Sequence, residues 1–414
     1  MPLRSLFHDV SRFSLVPPQL RWLYFSVVMQ RISEALLLVI SPLFLFQLAP
    51  QIPYLNQIFS SDIKTGLFFI TIYYMAERLM VILLAPLLAR ISITKDIRLS
   101  MVLGRSAFLL SIIIFTFLEK QIELVLFLPI LGALTMMWYW SNYYLLLAAE
   151  VDLSKVGKEM GGLEIVSKLA TVIGPLLGVV LALNISFQGA FWLAILFQFL
   201  AILGLIKLPS LRVKTVWHWS DFLSAIKLSI ARRQLIGMSG EFWERRGLSV
   251  YWPIILFIMF GGLMAVGYVF TGATLISLIF IYLSGWIFDK HRRKTSLGVK
   301  SGTALALIWL VRAFSWQLPI LSVLAEVADR FASGVFQTFY SSLLLLRIRA
   351  NNSIIYAYNR QIAMALANLV GGTFVLLVLW LDLGLSWIIG SFFFAGLAAL
   401  IFVKDRRLRY RLDK

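Results

Sequence analysis

The stretch GEFWERRG, Gly240 to Gly247, sets two glutamates and two arginines inside eight residues of otherwise apolar chain. LIGMS precedes it and LSVYWPIILFIMF comes after. Carboxylates placed there could carry protons, because burial and neighbouring arginines pull a carboxylate's proton affinity in opposite directions. A second stretch, EVADR from Glu326 to Arg330, shares the pattern E-x-x-[DE]-R. At about 100° per residue the three charges of each pattern fall within roughly 100° of arc, one face of a helix. The first glutamate of each pattern also lies four residues before its arginine, the favourable pairing order.

Further ionisable residues sit in apolar surroundings. The acids are Glu34, Glu77, Glu241, Glu244, Glu326 and Asp329; the bases are Arg31, Arg78, Arg105, Lys168, Arg245, Arg246, Arg312, Arg330 and Arg360. A charge at the centre of a membrane helix costs about 2.5–3.5 kcal/mol on insertion scales, so such residues usually face a wet interior. Buried ion pairs that lock helices together, without touching a ligand, would equally explain the near balance of signs. Arg246 lies off the shared arc and reads as structural. The aromatic run WYWSNYY (138–144) could stack on a solute or simply pack at an interface. Glu164 and Lys168, one turn apart, read as a local pair. No cysteine is present, and His8, His218 and His291 all fall outside the apolar blocks, so no metal site and no cofactor are expected.

The elements that carry these charges follow from composition. The chain is 60% hydrophobic and 14% charged, with mean hydropathy +0.87. Soluble chains run at roughly 45–50% apolar and about 25% charged. The apolar residues come in blocks long enough to cross a hydrocarbon core of about 30 Å. Without barrel-type alternation the spans are helical. They are expected at 22–48, 64–90, 98–118, 122–148, 162–183, 187–207, 234–260, 263–288, 297–314, 318–346, 355–381 and 384–403.

The net charge of +18 is a topology signal rather than a nucleic-acid footprint. With the amino terminus inside, 27 of the 38 Lys and Arg fall in inside segments, and only Lys64 and Lys120 fall outside. That bias places both termini in the cytoplasm of a multi-pass protein of the inner membrane. The first twenty residues end in Pro17-Pro18 and show no removable signal peptide; they could form an amphipathic helix on the inner leaflet.

The basic loop 208–233 divides the spans six and six, giving an amino-terminal half (1–207) and a carboxy-terminal half (234–414). Arg21 precedes Pro42 by 21 residues, and Arg232 precedes Pro253 by the same distance. In that register Arg31 and Glu34 of span 1 fall opposite GEFWERRG of span 7, which sets the charges inside the span. A weaker echo links MMWYWSNYYLLLAAE in span 4 to FQTFYSSLLLLR in span 10. Paired six-helix halves are the layout of many secondary transporters, with the site near mid-membrane between them.

After span 8 comes GWIFDKHRRK, Gly285 to Lys294. It resembles the loop signature of the major facilitator superfamily, G-x-x-x-D-[RK]-x-G-[RK]-[RK], at Gly285, Asp289, Lys290, Arg293 and Lys294; Arg292 stands where the signature has glycine. The matching first-half loop, LLARISITKDIRLSMVLG, is degenerate. IGPLLG in span 5, with Gly174, Pro175 and Gly178, resembles a superfamily motif commonest among exporters. Span 4 lacks the arginine that such exporters often carry. The resemblance implies an all-α membrane protein of twelve transmembrane helices, spans 1, 4, 7 and 10 around a central cavity, and gating by the loop and span 5 motifs.

Together these readings point to a secondary active transporter that moves a small polar or charged organic solute by alternating access, as a monomer among membrane lipids. Proton-coupled export is the leading mode; an uptake symporter of the same fold is the alternative. Binding or coupling is assigned to Arg31, Glu34, Glu77, Arg78, Glu241, Glu244, Arg245, Glu326, Asp329 and Arg330. The members of spans 1, 7 and 10 are expected around one central cavity. A lipid-acting membrane enzyme would need a catalytic cluster that the sequence does not offer, and a non-transporting scaffold would gain support from an added soluble domain. No ATP motif is present. Reporter fusions after Lys414 and within 215–225 are expected to report cytoplasm; periplasmic signal from either would sink the twelve-span topology.

Overall fold

The computed structural model describes residues 18–52, 54–55, 57–59, 61–150, 169, 171–210, 217–290, 294–315, 318–350 and 353–403, with side chains left out at 18–20, 92–95, 149–150, 230, 277–290, 294–295, 338, 349–350 and 353. Span 1 is the helix Pro18–Leu48, span 2 Asp62–Lys95 and span 3 Ile97–Phe115. Span 4 runs through a 3-10 turn Ile122–Phe127, the helix Leu128–Leu134, a π-helical turn Thr135–Trp140 and the helix Ser141–Glu150. Span 5 is described over Gly174–Asn184, and span 6 is Phe187–Ile206. Span 7 joins Ser229–Arg246 to Trp252–Phe260 through a π-helical turn Gly247–Tyr251. Spans 8 to 12 are Leu263–Lys290, Lys294–Phe314, Pro319–Ala350, Ser353–Trp380 and Leu385–Val403.

Eight of the described helices are long and apolar enough to cross a membrane. Spans 7 and 10 are absent from that set because they carry the acid–base patterns, not because they are short. The GEFWERRG charges lie inside span 7: the helix continues through Arg246 and the π turn to Phe260. It ends at Gly261, whose φ of 69° needs the freedom of glycine. Asp96 caps span 3 by accepting from Arg98 N at 2.9 Å, and Ser186 caps span 6 from Gly189 N at 3.3 Å.

Helix packing repeats across the two halves. Span 1 packs on spans 5 and 6 as span 7 packs on 11 and 12; span 3 packs on 6 as 9 packs on 12. The halves meet through spans 2 and 11 and, symmetrically, spans 5 and 8. Glycine permits the closest contacts within each half. A Cβ at Gly178 would sit 2.5 Å from the Leu36 carbonyl oxygen, and one at Gly240 would sit 2.5 Å from that of Ala395.

Two apolar cores stack along the bundle, and each draws on both halves. One gathers Leu23, Val27, Met101, Tyr143, Leu343, Ile348, Tyr358 and Phe402 at the basic-loop end. The other gathers Leu36, Phe44, Ile70, Phe191, Trp252, Phe270 and Phe392 at the opposite end. Along spans 1, 2 and 3 the charged residues fall between the two, and on span 7 Glu241 does. Outside the bundle, the short helix Trp219–Lys227 is tied to span 11, where Trp217 Nε1 donates to Asn359 Oδ1 at 2.8 Å and the Trp217 ring stacks on Tyr358.

Overpacking the glycine contact tests this arrangement. Gly178→Leu is expected to lower stability by about 1–3 kcal/mol by forcing spans 1 and 5 apart. Gly262→Ala, whose added Cβ would meet nothing within 4 Å, should leave the detergent melting curve unchanged.

Candidate functional site

The intramembrane charges resolve into three groups rather than one cavity lining. The first lies inside the amino-terminal half. Successive turns of span 1 present Gln30, Arg31 and Glu34; Arg31 reaches Glu34 Oε2 at 3.0 Å and Gln30 donates to Glu34 Oε1 at 2.8 Å. Arg105 of span 3, its side chain 1% exposed, adds a third contact to Glu34 at 3.3 Å. Its guanidinium lies 3.5 Å above the centre of the Tyr139 ring, and Tyr139 donates to Gln30. Tyr139 and Trp140 belong to the π turn of span 4, a local widening that recurs at functional positions.

The second group ties the halves together. Glu77 and Arg78 of span 2 pair at 3.2 Å, and Arg246 of span 7 approaches Glu77 at 4.0 Å while lying 4.1 Å over the Tyr74 ring. Arg78 lies over Phe242 of span 7, and Thr71 meets the Tyr251 hydroxyl at 3.1 Å.

The third group is sealed within the carboxy-terminal half. Arg312 of span 9 bonds Glu326 at 2.6 Å and Asp329 at 3.3 Å, with all three side chains at 0% exposure. Arg330 reaches the other Glu326 oxygen at 2.6 Å. Trp252 and Trp309 flank the Arg312 guanidinium, and their indole N–H groups donate to Glu326 and Glu244, each at 2.9 Å. Glu241 and Glu244 line a crevice with Gly302, Leu305, Phe336, Gly396 and Ala399. Arg245 is the outlier: its side chain is 46% exposed, paired to Glu241 and to Gln337 of span 10. Gln337 also donates to Glu241 at 3.2 Å.

Gly174, Pro175 and Gly178 sit at the contact of spans 1 and 5. Gly285, Asp289 and Lys290 lie in the span 8 helix without described side chains, while Arg293, Glu164 and Lys168 lie outside the described residues. Participants beyond the sequence assignment include Gln30, Arg105, Trp252, Trp309, Arg312 and Gln337. Arg105 and Arg312 carried a usable signal, a buried arginine on the third helix of each half.

A family model described as the Major Facilitator Superfamily matches residues 34–367. The chain belongs to the major facilitator superfamily. The human organic anion transporter MFSD10 (TETRAN) shares its fold with TM-score 0.69 at 16% identity, covering 94% of this chain and 100% of that one. The D-xylose–proton symporter does so with TM-score 0.65 at 15% identity, covering 92% and 96%. No curated sequence matches. These likenesses show the twelve-helix fold.

Cutting a sealed pair leaves the partner charge buried alone. Arg312→Gln is expected to cost about 3–5 kcal/mol on that ground. Arg330→Gln, whose partner Glu326 keeps Arg312 and Trp252, should cost less. Equal melting temperatures for the two variants would contradict the ranking.

Proposed function

We propose that this chain is a secondary active transporter that moves a small organic solute across the inner membrane by alternating access, coupled to protons and working as an exporter. The observation that carries the reading is a charged layer, formed by spans 1, 2 and 3 with Glu241 of span 7, held between two apolar cores that each bridge both halves. Alternately loosening one core or the other would open that layer to one side of the membrane. The two structural neighbours, an organic anion transporter and a sugar–proton symporter, support a small organic solute.

Glu244 is the best candidate for the coupling carboxylate. Among the described residues it forms no salt bridge; its hydrogen bond comes from the neutral Trp309 indole, and it lines the crevice beside Glu241. A carboxylate so placed can gain or lose a proton without breaking an ion pair. Glu326 and Asp329, locked on Arg312, serve as structure. Export is supported by IGPLLG in span 5; uptake by symport is the reverse outcome of the same measurement. Asp289, in the loop signature, is assigned to holding the inward side closed. Both termini are placed in the cytoplasm, and the monomer is taken as the working unit.

Proteoliposomes with imposed pH gradients test the coupling. Glu244→Gln is expected to abolish gradient-driven flux while retaining solute exchange and the wild-type melting temperature. Unchanged gradient dependence in this variant would remove Glu244 from coupling. Flux of the wild type along, rather than against, an inward proton gradient would replace export by uptake.

A further inference from the structure

Arg360 of span 11 is a buried cation that none of the three groups absorbs. Its residue is 5% exposed, and its guanidinium lies 4.5 Å over the ring of Tyr144 on span 4, across the boundary between the halves. Among the described residues it forms no salt bridge within 4 Å, and its Nε has no hydrogen-bond partner. Its ionisable neighbours include Glu241 and Arg245 of span 7, Tyr340 of span 10 and Tyr144 of span 4. Glu241 is already engaged by Arg245 and Gln337. Arg360 is therefore left without a carboxylate in salt-bridge contact among the described residues.

Tyr340 supplies the second orphan. It is 1% exposed, and among the described residues its hydroxyl has no partner. Leaving both donors unsatisfied inside a bundle is costly, and an oxyanion is the ligand that would accept from both. Beyond Tyr144 the surface continues as a part-buried aromatic face, with Trp140 at 6.2 Å and tilted by 30°.

We infer that Arg360 and Tyr340 form an anion-binding site, and that the transported solute is a small organic monoanion whose flat apolar body lies on Tyr144 and Trp140. This assignment rests on the transport reading for its site, but binding can be measured without flux. The probes are benzoate, its neutral isostere benzamide and the cation benzylammonium, each added to the purified full chain in detergent.

Benzoate is expected to raise the melting temperature, and benzamide and benzylammonium are not. Arg360→Gln should abolish the benzoate shift and, by removing a buried charge that no carboxylate contacts, raise the ligand-free melting temperature. Arg360→Lys should retain part of the shift, and Tyr340→Phe should weaken benzoate binding about tenfold, the loss of one hydrogen bond to a charged group. The site is overturned if benzoate gives no shift, if benzamide matches it, or if the shift survives Arg360→Gln. A lower ligand-free melting temperature in Arg360→Gln would also overturn it, by making Arg360 a structural partner. Arg360-dependent benzoate binding without flux in proteoliposomes would leave the anion site standing and remove the transport reading instead.

Discussion

A guanidinium that leaves water for the middle of a helical bundle must recover its lost hydration from carboxylates and aromatic faces. Much of this protein is arranged around that demand. Arg312 meets it with two carboxylates and two indole rings, Arg105 with one carboxylate and a tyrosine face. The two arginines stand on corresponding helices, the third of each half, so the same solution recurs in both repeats. Repetition at this level is chemical as well as topological, since in each half the arginine meets residues of the first and fourth helices.

The division of labour among the groups follows from their sealing. Glu326 and Asp329 are wholly enclosed, which suits them to holding span 9 on span 10. Arg31 and Arg245 keep 30% and 46% of their side chains accessible, which suits them to exchanging partners. Glu77, Arg78 and Arg246 cross between the halves beside the packed spans 2 and 11, where any relative motion must stretch or break their contacts. Rigidity inside each half and looser ionic contacts between them are two consequences of one pattern. Glycines bring backbones together within a half, and longer side chains bridge the gap between halves.

Much of this was legible in the chain. Apart from the start of span 5, the apolar blocks gave span ends that match the described helices to within five residues, and the Arg21–Pro42 and Arg232–Pro253 register set GEFWERRG inside span 7. The partition of charges escaped. A shared arc of about 100° is narrow on a wheel, yet wide enough for Glu244 to face span 9 while Arg245 faces span 10. Helical-wheel arithmetic also assumes regular turns, and spans 4 and 7 each contain a π turn that rotates the residues beyond it. Arg105 and Arg312 were visible as intramembrane bases, but their partners lie on other helices, and pairing across helices leaves no local spacing to read. Gln30 and Gln337 carry no charge and gave no signal.

The linker contacts bear on how such a chain is made. Leu208 closes the amino-terminal half, its carbonyl taken by Arg98 at 3.1 Å, whereas Trp217 is already committed to Asn359 near the start of span 11. A ribosome therefore finishes the first six helices long before the partner that anchors Trp217 has been synthesised. The seam between biosynthetic units falls between Leu208 and Trp217. Two polypeptides divided there would each retain their own anchoring contacts, and could be translated separately and joined in the bilayer through spans 2 and 11 and spans 5 and 8.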